Sequence, residues 1–172
     1  PYIFFTDNVN KAAPEHYQKK GLKIKHSQLC AEIMEYTDDT KSFVCCLSSM
    51  NLLHFDEGKD EKERYDPVMI LTCFLDAVYT EFIEKAEGIP FMEKALKFSK
   101  EHRSIGIGAL GYHSYLQKNG IPFESIQARM INKDMFDQIE TKTIDMSWEL
   151  GDEFGKTEFG GGKRHSTLQA VA

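Results

Sequence analysis

The sequence predicts a mixed α/β fold. Apolar runs of strand length, the clearest at 43–53, share the chain with longer segments whose apolar residues recur every three or four positions, the clearest at 66–88. No internal repeat and no linker rich in Pro, Gly or Ser divides the 172 residues. We therefore expect residues 1–172 to form one segment of a single domain.

Composition excludes several classes of protein. The chain carries 21 Lys and Arg against 27 Asp and Glu, a net charge of −6, and its Lys and Arg residues are adjacent only at 19–20 and 163–164, the latter followed by His165. Such a chain repels phosphate backbones, so we expect no nucleic-acid partner. Four cysteines are too few for a disulfide-stapled secreted scaffold, and the first residues lack a basic leader. The most apolar run, 68–75, is far shorter than the ~20 residues that cross a bilayer, so we expect no membrane span and a cytoplasmic location.

The first 53 residues contain the strand candidates. Residues 2–5 form a short apolar run, and residues 22–33 show partial alternation of apolar and polar side chains. Residues 43–53 are rich in Cys and Leu, which is typical of a buried strand. Between the first two runs, the polar segment 11–21 contains Pro14, which predicts a loop or a short helix.

Helices are predicted in the rest of the chain. Asp66 can cap a helix whose first residue is Pro67 and whose apolar residues recur at helical spacing until Gly88. The pattern predicts three further helices, over 91–102, 109–118 and 131–150, the last closed by Gly151. The tail, 166–172, reads as the beginning of a strand.

The segment 27–33 brings together three polar side chains. In an extended backbone alternate side chains share a face, so Gln28, Cys30 and Glu32 would point one way and the apolar residues between them the other. An amide, a thiol and a carboxylate on one face could do chemistry together. The alternative is an edge strand with one buried cysteine and two solvated polar residues.

Two adjacent cysteines lie in the next strand candidate. Cys45 and Cys46 make a poor disulfide, because neighbouring Cα atoms are about 3.8 Å apart and the two thiols of a strand face opposite ways. At most one of them can therefore face a given site. The alternative is that both are small core residues, and we assign Cys73, on the apolar helix, to the core.

The glycines at 106, 108 and 111 match G-x-G-x-x-G. A dinucleotide site needs a strand before them and an acidic residue about 20 positions later, but the preceding segment, 97–102, is charged and predicts a helix. The glycines therefore favour a tight turn or close packing, with a nucleotide-dependent dehydrogenase kept as an alternative. The six histidines form no i, i+4 pair and no C-x-x-C occurs, so we expect no metal site.

Six segments in order resemble the large, catalytic subunit of class I ribonucleotide reductase, especially its phage and bacterial forms: 1–5, 27–33, 45–52, 75–76, 103–111 and 164–172. The resemblance implies part of a ten-stranded α/β barrel. In that barrel a finger loop, here around 27–33, projects a cysteine into the centre. It further implies an oxidoreductase that makes deoxyribonucleotides for DNA synthesis.

The same resemblance implies roles for five residues. Cys30 matches the thiyl radical that takes hydrogen from the ribose 3′ carbon, and Glu32 matches the carboxylate that accepts the 3′-hydroxyl proton. Cys45 matches one half of the dithiol that reduces the substrate and becomes a disulfide. For substrate binding, Gln28 stands where the family usually has Asn, and Leu47 matches a residue of the substrate pocket. Cys46 and Cys73 match no catalytic role.

The resemblance also implies partners. The second cysteine of the dithiol, the effector segments and the phosphate-binding loop are expected outside these residues, so we expect remaining catalytic-subunit polypeptides to complete the barrel around a split-gene product or fragment. The radical would come from a metal-containing small subunit, with no cofactor in this chain. The reductant would be a thioredoxin- or glutaredoxin-type dithiol. The alternative from another class is a non-catalytic fragment that only completes the barrel.

Overall fold

The computed structural model describes residues 3–28, 33–57 and 66–160. Two short helices come first, and a parallel pair of strands is then interleaved with further helices. The elements in order are α1 (Thr6–Ala12), α2 (Glu15–Lys20), β1 (Cys46–Asn51), a 3₁₀ turn (Leu52–His54), α3 (Pro67–Ala86), α4 (Glu93–His102), β2 (Ile105–Leu110), α5 (Tyr112–Lys118) and α6 (Ile126–Phe154). Among these described helices none has the length and apolar character that a bilayer crossing requires.

The two strands pair in parallel, with Cys46 opposite Ile105 and Asn51 opposite Leu110. A parallel pair needs a crossover connection, and α3 and α4 lie on that connection. This βαβ arrangement confirms the predicted α/β class. A core cluster formed by Leu75, Tyr79 and Ile105 fills the space between α3 and the sheet.

Helix α3 forms where the local signals place it. The Asp66 carboxylate accepts hydrogen bonds from the backbone N–H groups of Val68 at 2.9 Å and Met69 at 3.2 Å, and Pro67 is the first helical residue. These bonds satisfy two of the donors that a helix start leaves open. The buried residues recur at helical spacing and face the core: Val68, Thr72, Leu75, Asp76, Tyr79 and Ala86.

The strands predicted over 2–5 and 22–33 are wrong for their described parts. Residues 3–5 and 22–28 are not strands, and α1 and α2 occupy the region between them. The Asn10 side chain accepts from the Ile24 N–H at 2.9 Å and donates to the Ile24 carbonyl at 2.8 Å. One amide thus satisfies the backbone groups that a neighbouring strand would otherwise pair.

The helix predicted over 109–118 begins later, because 105–110 is strand β2 and α5 starts at Tyr112. Glycine allows the close pairing of the strands, since a Cβ at Gly108 would lie 3.0 Å from the Ser49 hydroxyl. Gly111 ends the strand with φ +79°, and a side chain there would overlap that of Asn51.

Helix α6 is longer than the predicted 131–150. It begins after Ser125, whose hydroxyl accepts from the Ala128 N–H at 3.0 Å, and Gly151 is a buried residue within it. The predicted closure at Gly151 is therefore wrong, and Gly155, with φ +97°, follows the last helical residue. The predicted helix over 91–102 is confirmed as α4, and the tail strand over 166–172 lies outside the described residues.

A candidate active site at the start of strand β1

The predicted site residues divide into two groups. Gln28, Cys45 and Leu47 belong to the described residues, whereas Cys30 and Glu32 lie outside them. Gln28 and Cys45 are partly buried, and Leu47 is 44% exposed. The site can therefore be built from the segment that leads into the loop and from β1.

A backbone hydrogen bond joins Gln28 and Ile33, the two residues on either side of the undescribed segment 29–32. The Gln28 N–H donates to the Ile33 carbonyl at 3.0 Å. One extended strand would separate these two residues by about 16 Å, so the continuous strand predicted over 22–33 is wrong here too. Cys30 and Glu32 lie outside the described residues, so the common face predicted for Gln28, Cys30 and Glu32 stays a prediction. The finger loop around 27–33 that the resemblance implies stays a prediction for the same reason.

Cys46 faces helix α3. Its thiol donates to the Leu75 carbonyl at 3.5 Å, and its side chain packs against the cluster of Leu75, Tyr79 and Ile105. Burial and the nearby Asp76 carboxylate raise the pKa of the Cys46 thiol. The thiol is therefore kept protonated, which agrees with the alternative that Cys46 is a small core residue.

The assignment of Cys73 to the core is wrong, because its side chain is exposed. The helix is apolar on its outer face as well, where Ile70 and Phe74 are 56% and 60% exposed. An apolar surrounding sequence therefore did not mean a buried position. Among the described residues Cys45, Cys46 and Cys73 form no disulfide.

Tyr79 contacts the backbone beside Cys45. Its hydroxyl donates to the Val44 carbonyl at 3.0 Å. Burial, followed by the negative Glu35, raises the pKa of Tyr79 far above its ordinary value, so the phenol stays protonated. Sequence reasoning missed this residue, although its place in the buried stripe of α3 was a signal that its hydroxyl would need a partner.

Arg103 ties α3 to the start of β2. Its Nε donates to the Asp76 carboxylate at 2.8 Å, and its Nη2 donates to the Asp76 carbonyl at 2.7 Å and to the Thr80 hydroxyl at 2.5 Å. Arg103 itself has a left-handed backbone, with φ +49°, directly after α4. Charge-assisted bonds from a planar guanidinium hold one turn of α3 in a fixed place.

A cavity of about 240 Å³ opens beside the two adjacent cysteines. We call it the thiol pocket, and its lining is mostly apolar: Val44, Cys45, Cys46, Val78, Tyr79 and Phe82. Apolar walls strengthen polar interactions inside a site and limit competing reactions with water. The pocket can therefore hold a thiol whose partner arrives from outside the described residues.

A second buried group surrounds His102. This His102 cluster consists of Tyr36, Lys41, Glu101, His102 and Glu158. The Tyr36 hydroxyl lies 3.1 Å from His102 Nε2, and Lys41 binds the Tyr36 hydroxyl at 2.8 Å, the Glu101 carboxylate and the Glu158 carboxylate at 3.4 Å. Burial lowers the pKa of His102 to about 4.

Within the described part of the chain, Glu101, His102 and Glu158 are the one set of side chains with metal-ligand spacing. The Lys41 ammonium already binds both of the carboxylates. The Lys41 ammonium neutralises the two carboxylates in the place that a metal ion would take. The cluster therefore serves to join elements of the fold. It joins the loop after Tyr36, the end of α4 and the residues around Glu158.

The dehydrogenase alternative fails on geometry. Gly106 and Gly108 are residues of strand β2 itself, paired with Leu47 and Ser49 of β1. A dinucleotide fingerprint places its glycines in the turn after a strand, where backbone N–H groups can approach a pyrophosphate. These glycines instead allow two strands to pair closely.

Comparisons with known proteins agree with the resemblance. The family described as "Ribonucleotide reductase, barrel domain" matches residues 1–169. A ribonucleoside-diphosphate reductase large subunit of Invertebrate iridescent virus 3 is 38% identical over all of this chain. The alpha subunit of the Bacillus subtilis enzyme is 35% identical over 91% of the chain. The structure of the Actinobacillus ureae class Id ribonucleotide reductase alpha subunit superposes on 96% of the chain with a TM-score of 0.85 and 46% identity.

The chain is short beside these proteins. It spans 27% of the viral subunit, 23% of the Bacillus subtilis subunit and 32% of the Actinobacillus ureae chain. Its helices and parallel strand pair are accordingly part of the α/β barrel of such subunits. On a family match that extends over almost every residue, the chain belongs to the ribonucleotide reductase barrel-domain family.

Proposed function

We propose that this chain is a working part of the catalytic subunit of a ribonucleoside-diphosphate reductase. The observation that carries the proposal is the family match over residues 1–169, which includes every residue with an expected role. Relatives of this chain in viruses and in a bacterium are named for that activity. Supporting geometry comes from the backbone hydrogen bond between Gln28 and Ile33 and from the thiol pocket beside Cys45.

Three residues carry the chemistry in this proposal. The Cys30 thiyl radical takes the hydrogen atom from the ribose 3′ carbon and returns one at the end, and Glu32 accepts the proton of the 3′ hydroxyl. Cys45 and a second cysteine outside this chain give up two S–H hydrogens and form one S–S bond. The substrate loses a hydroxyl group as water and gains a C–H bond, so the two electrons come from the dithiol.

Two further residues bind the substrate in this proposal. Gln28 offers an amide at the base of the loop, where its backbone is held by Ile33. Its side chain is one methylene longer than the Asn usual in the family, which moves the amide by about 1.5 Å. Leu47 lies on β1, two positions after Cys45, which directly precedes the strand. An extended backbone through Cys45 would place both side chains on the same face.

The proposed partners complete the reaction. The remaining catalytic-subunit polypeptides supply the second cysteine and the rest of the barrel, including partners for the outer edges of β1 and β2. Exposed strand edges favour pairing with another chain. A metal-containing small subunit supplies the radical, a thioredoxin- or glutaredoxin-type dithiol reduces the disulfide, and all of them meet in the cytoplasm.

The test begins with the complex isolated from the source of this chain. Its native mass and the identity of each polypeptide should reveal larger chains that carry the second cysteine. Ribonucleoside-diphosphate reduction is then measured for Cys30→Ser and for the matched control Cys73→Ser, which changes an exposed thiol on α3. We expect Cys30→Ser to abolish reduction and Cys73→Ser to leave it unchanged.

The competing proposal is a fragment that completes the barrel without taking part in the reaction. It predicts that Cys30→Ser keeps full activity in the same complex, and that result would overturn the catalytic role. A chain that purifies alone, with no larger polypeptide bound, would also count against the proposal.

A further inference from the structure

The peptide that leads into Cys45 is held by a side chain with no place in the proposed reaction. The carbonyl that accepts the Tyr79 hydroxyl, at 3.0 Å, belongs to the peptide joining Val44 to Cys45. The bond therefore fixes the orientation of the peptide plane on which the Cys45 backbone begins. Tyr79 itself is 1% exposed.

The helix that carries Tyr79 is fixed in turn. Arg103 binds Asp76, three residues before Tyr79, and Thr80, directly after it. The same guanidinium also lies 6.0 Å from the Tyr79 ring. The turn of α3 that contains Tyr79 is thus bound to Arg103, two residues before β2 begins. Tyr79 therefore has little freedom to move along or around the helix axis.

The strand register fixes the backbone on the other side of Cys45. Ile105, two residues after Arg103, pairs with Cys46, the residue after Cys45. Cys45 consequently stands between two fixed points, the Val44 carbonyl on one side and the first pair of the sheet on the other. The thiol itself is left to its own side-chain rotation and to its partner.

We propose that Tyr79 is a positioning residue for Cys45, acting through the Val44 carbonyl. A disulfide forms only when the two Cβ atoms lie about 3.5–4.5 Å apart and the S–S torsion is near 90°. Holding the peptide before Cys45 keeps its Cα–Cβ bond aimed for that geometry in both redox states. This inference rests on the proposed role of Cys45 as one half of the redox dithiol.

The test uses the assembled reductase, with Tyr79→Phe removing one hydroxyl and keeping the ring. Two quantities are measured: kcat and KM for a ribonucleoside diphosphate, and the equilibrium constant of the Cys45 disulfide against a dithiothreitol redox buffer. We expect kcat to fall about three- to tenfold with KM unchanged, and the equilibrium constant to change by a similar factor, as for the loss of one hydrogen bond.

The matched control is Tyr115→Phe, which removes a hydroxyl bonded to Asp56 at 2.7 Å on α5. It should leave both quantities unchanged. A second variant, Thr80→Val, removes one partner of Arg103 and leaves Tyr79 in place, so the positioning role can be tested even where Tyr79→Phe fails to fold. We expect about a two- to threefold change of the equilibrium constant, in the same direction as for Tyr79→Phe.

The outcomes separate the two proposals. If Cys45→Ser keeps full turnover, the redox role of Cys45 is wrong and the positioning role fails with it. If Cys45→Ser is inactive while Tyr79→Phe and Thr80→Val keep the wild-type equilibrium constant and kcat, the redox role stands and the positioning role is overturned. A lower unfolding midpoint without a change in either quantity also overturns the positioning role, since it marks Tyr79 as structural only.

Discussion

The partly buried thiol pocket and the His102 cluster, whose imidazole is fully buried, each surround a titratable side chain, but they are built from different interactions. The thiol pocket surrounds its cysteines with apolar side chains and one neutral hydroxyl, and the neighbouring cation, Arg103, is engaged by Asp76 and Thr80. The His102 cluster places two carboxylates and an ammonium within contact of one another.

The difference separates two tasks. A network of opposite charges fixes several segments at once, because each charged group is bound by another. Neutral walls control the orientation of a thiol and its access to water. The first arrangement suits the joining of elements, and the second suits a reacting group.

The largest expected effect distinguishes the two adjacent cysteines of the thiol pocket. Cys45→Ser should lower ribonucleoside-diphosphate reduction by the assembled enzyme roughly a hundredfold or more, because the dithiol loses one sulfur. Cys46→Ser, its matched control, should change the rate less than about threefold, since its thiol only donates to Leu75 within the core. Equal losses for the two variants would contradict a redox role that is specific to Cys45.

The next effect tests the His102 cluster by pH. Burial lowers the pKa of His102 from 6.5 to about 4, so the unfolded chain binds the extra proton first as pH falls. The stability that comes from the neutral imidazole is complete above pH 6.5 and is lost as pH falls toward 4. Between pH 7 and 5 we expect the free energy of unfolding to drop by about 2 kcal/mol, measured by urea titration of the assembled subunit.

The pH experiment has two companion variants. His102→Phe should remove most of this pH dependence, whereas His113→Gln, at an exposed position of α5, should keep it. If the free energy of unfolding of His102→Phe still falls between pH 7 and 5, a group other than His102 causes the pH dependence. The carboxylates and ammonium groups that face His102 are those of Glu158, Glu101, Lys41 and Lys20.

The smallest effect concerns the cation beside the thiol pocket. Arg103→Lys keeps the positive charge but cannot bind Asp76 and Thr80 together through a planar fork. We expect a loss of about 1 kcal/mol in the free energy of unfolding, read from the urea midpoint at constant slope. A matched Arg129→Lys substitution, on the exposed face of α6, should leave the free energy of unfolding unchanged. An equally large loss for Arg129→Lys would contradict a specific stabilising role of the Arg103 contacts.

Local signals predicted those parts of the fold that local interactions determine. Helix α3 follows from the Asp66 cap, Pro67 and a buried stripe, all within 20 residues. Strand β2 was not predictable in this way, because its glycines carry no side-chain pattern and its stability comes from pairing with β1. The region around Ile24 failed for a similar reason, since its partner is the side chain of Asn10, 14 positions away.

The residues of the candidate site show the same difference between local patterns and long-range contacts. Residue types and their spacing singled out Gln28, Cys30 and Glu32 and the adjacent cysteines 45 and 46. The resemblance then gave Cys30, Glu32, Cys45, Gln28 and Leu47 their predicted roles. Tyr79 and Arg103 escaped notice because their importance lies in bonds to residues 35 and 27 positions away. Such pairs are set by how elements pack, and a single sequence does not display them.

The register of the parallel pair has a consequence for biosynthesis. The strand partners Cys46 and Ile105 are roughly sixty positions apart in the chain. At about 5–20 residues per second, a ribosome needs about 3–12 s to make the second strand after the first. During that interval the two adjacent thiols lack β2, and they also lack a completed α3 until Ala86 has been made. A nascent chain in an oxidising setting would be most vulnerable at this stage, so a reducing compartment protects the sulfur on which the proposed chemistry depends before the fold can do so.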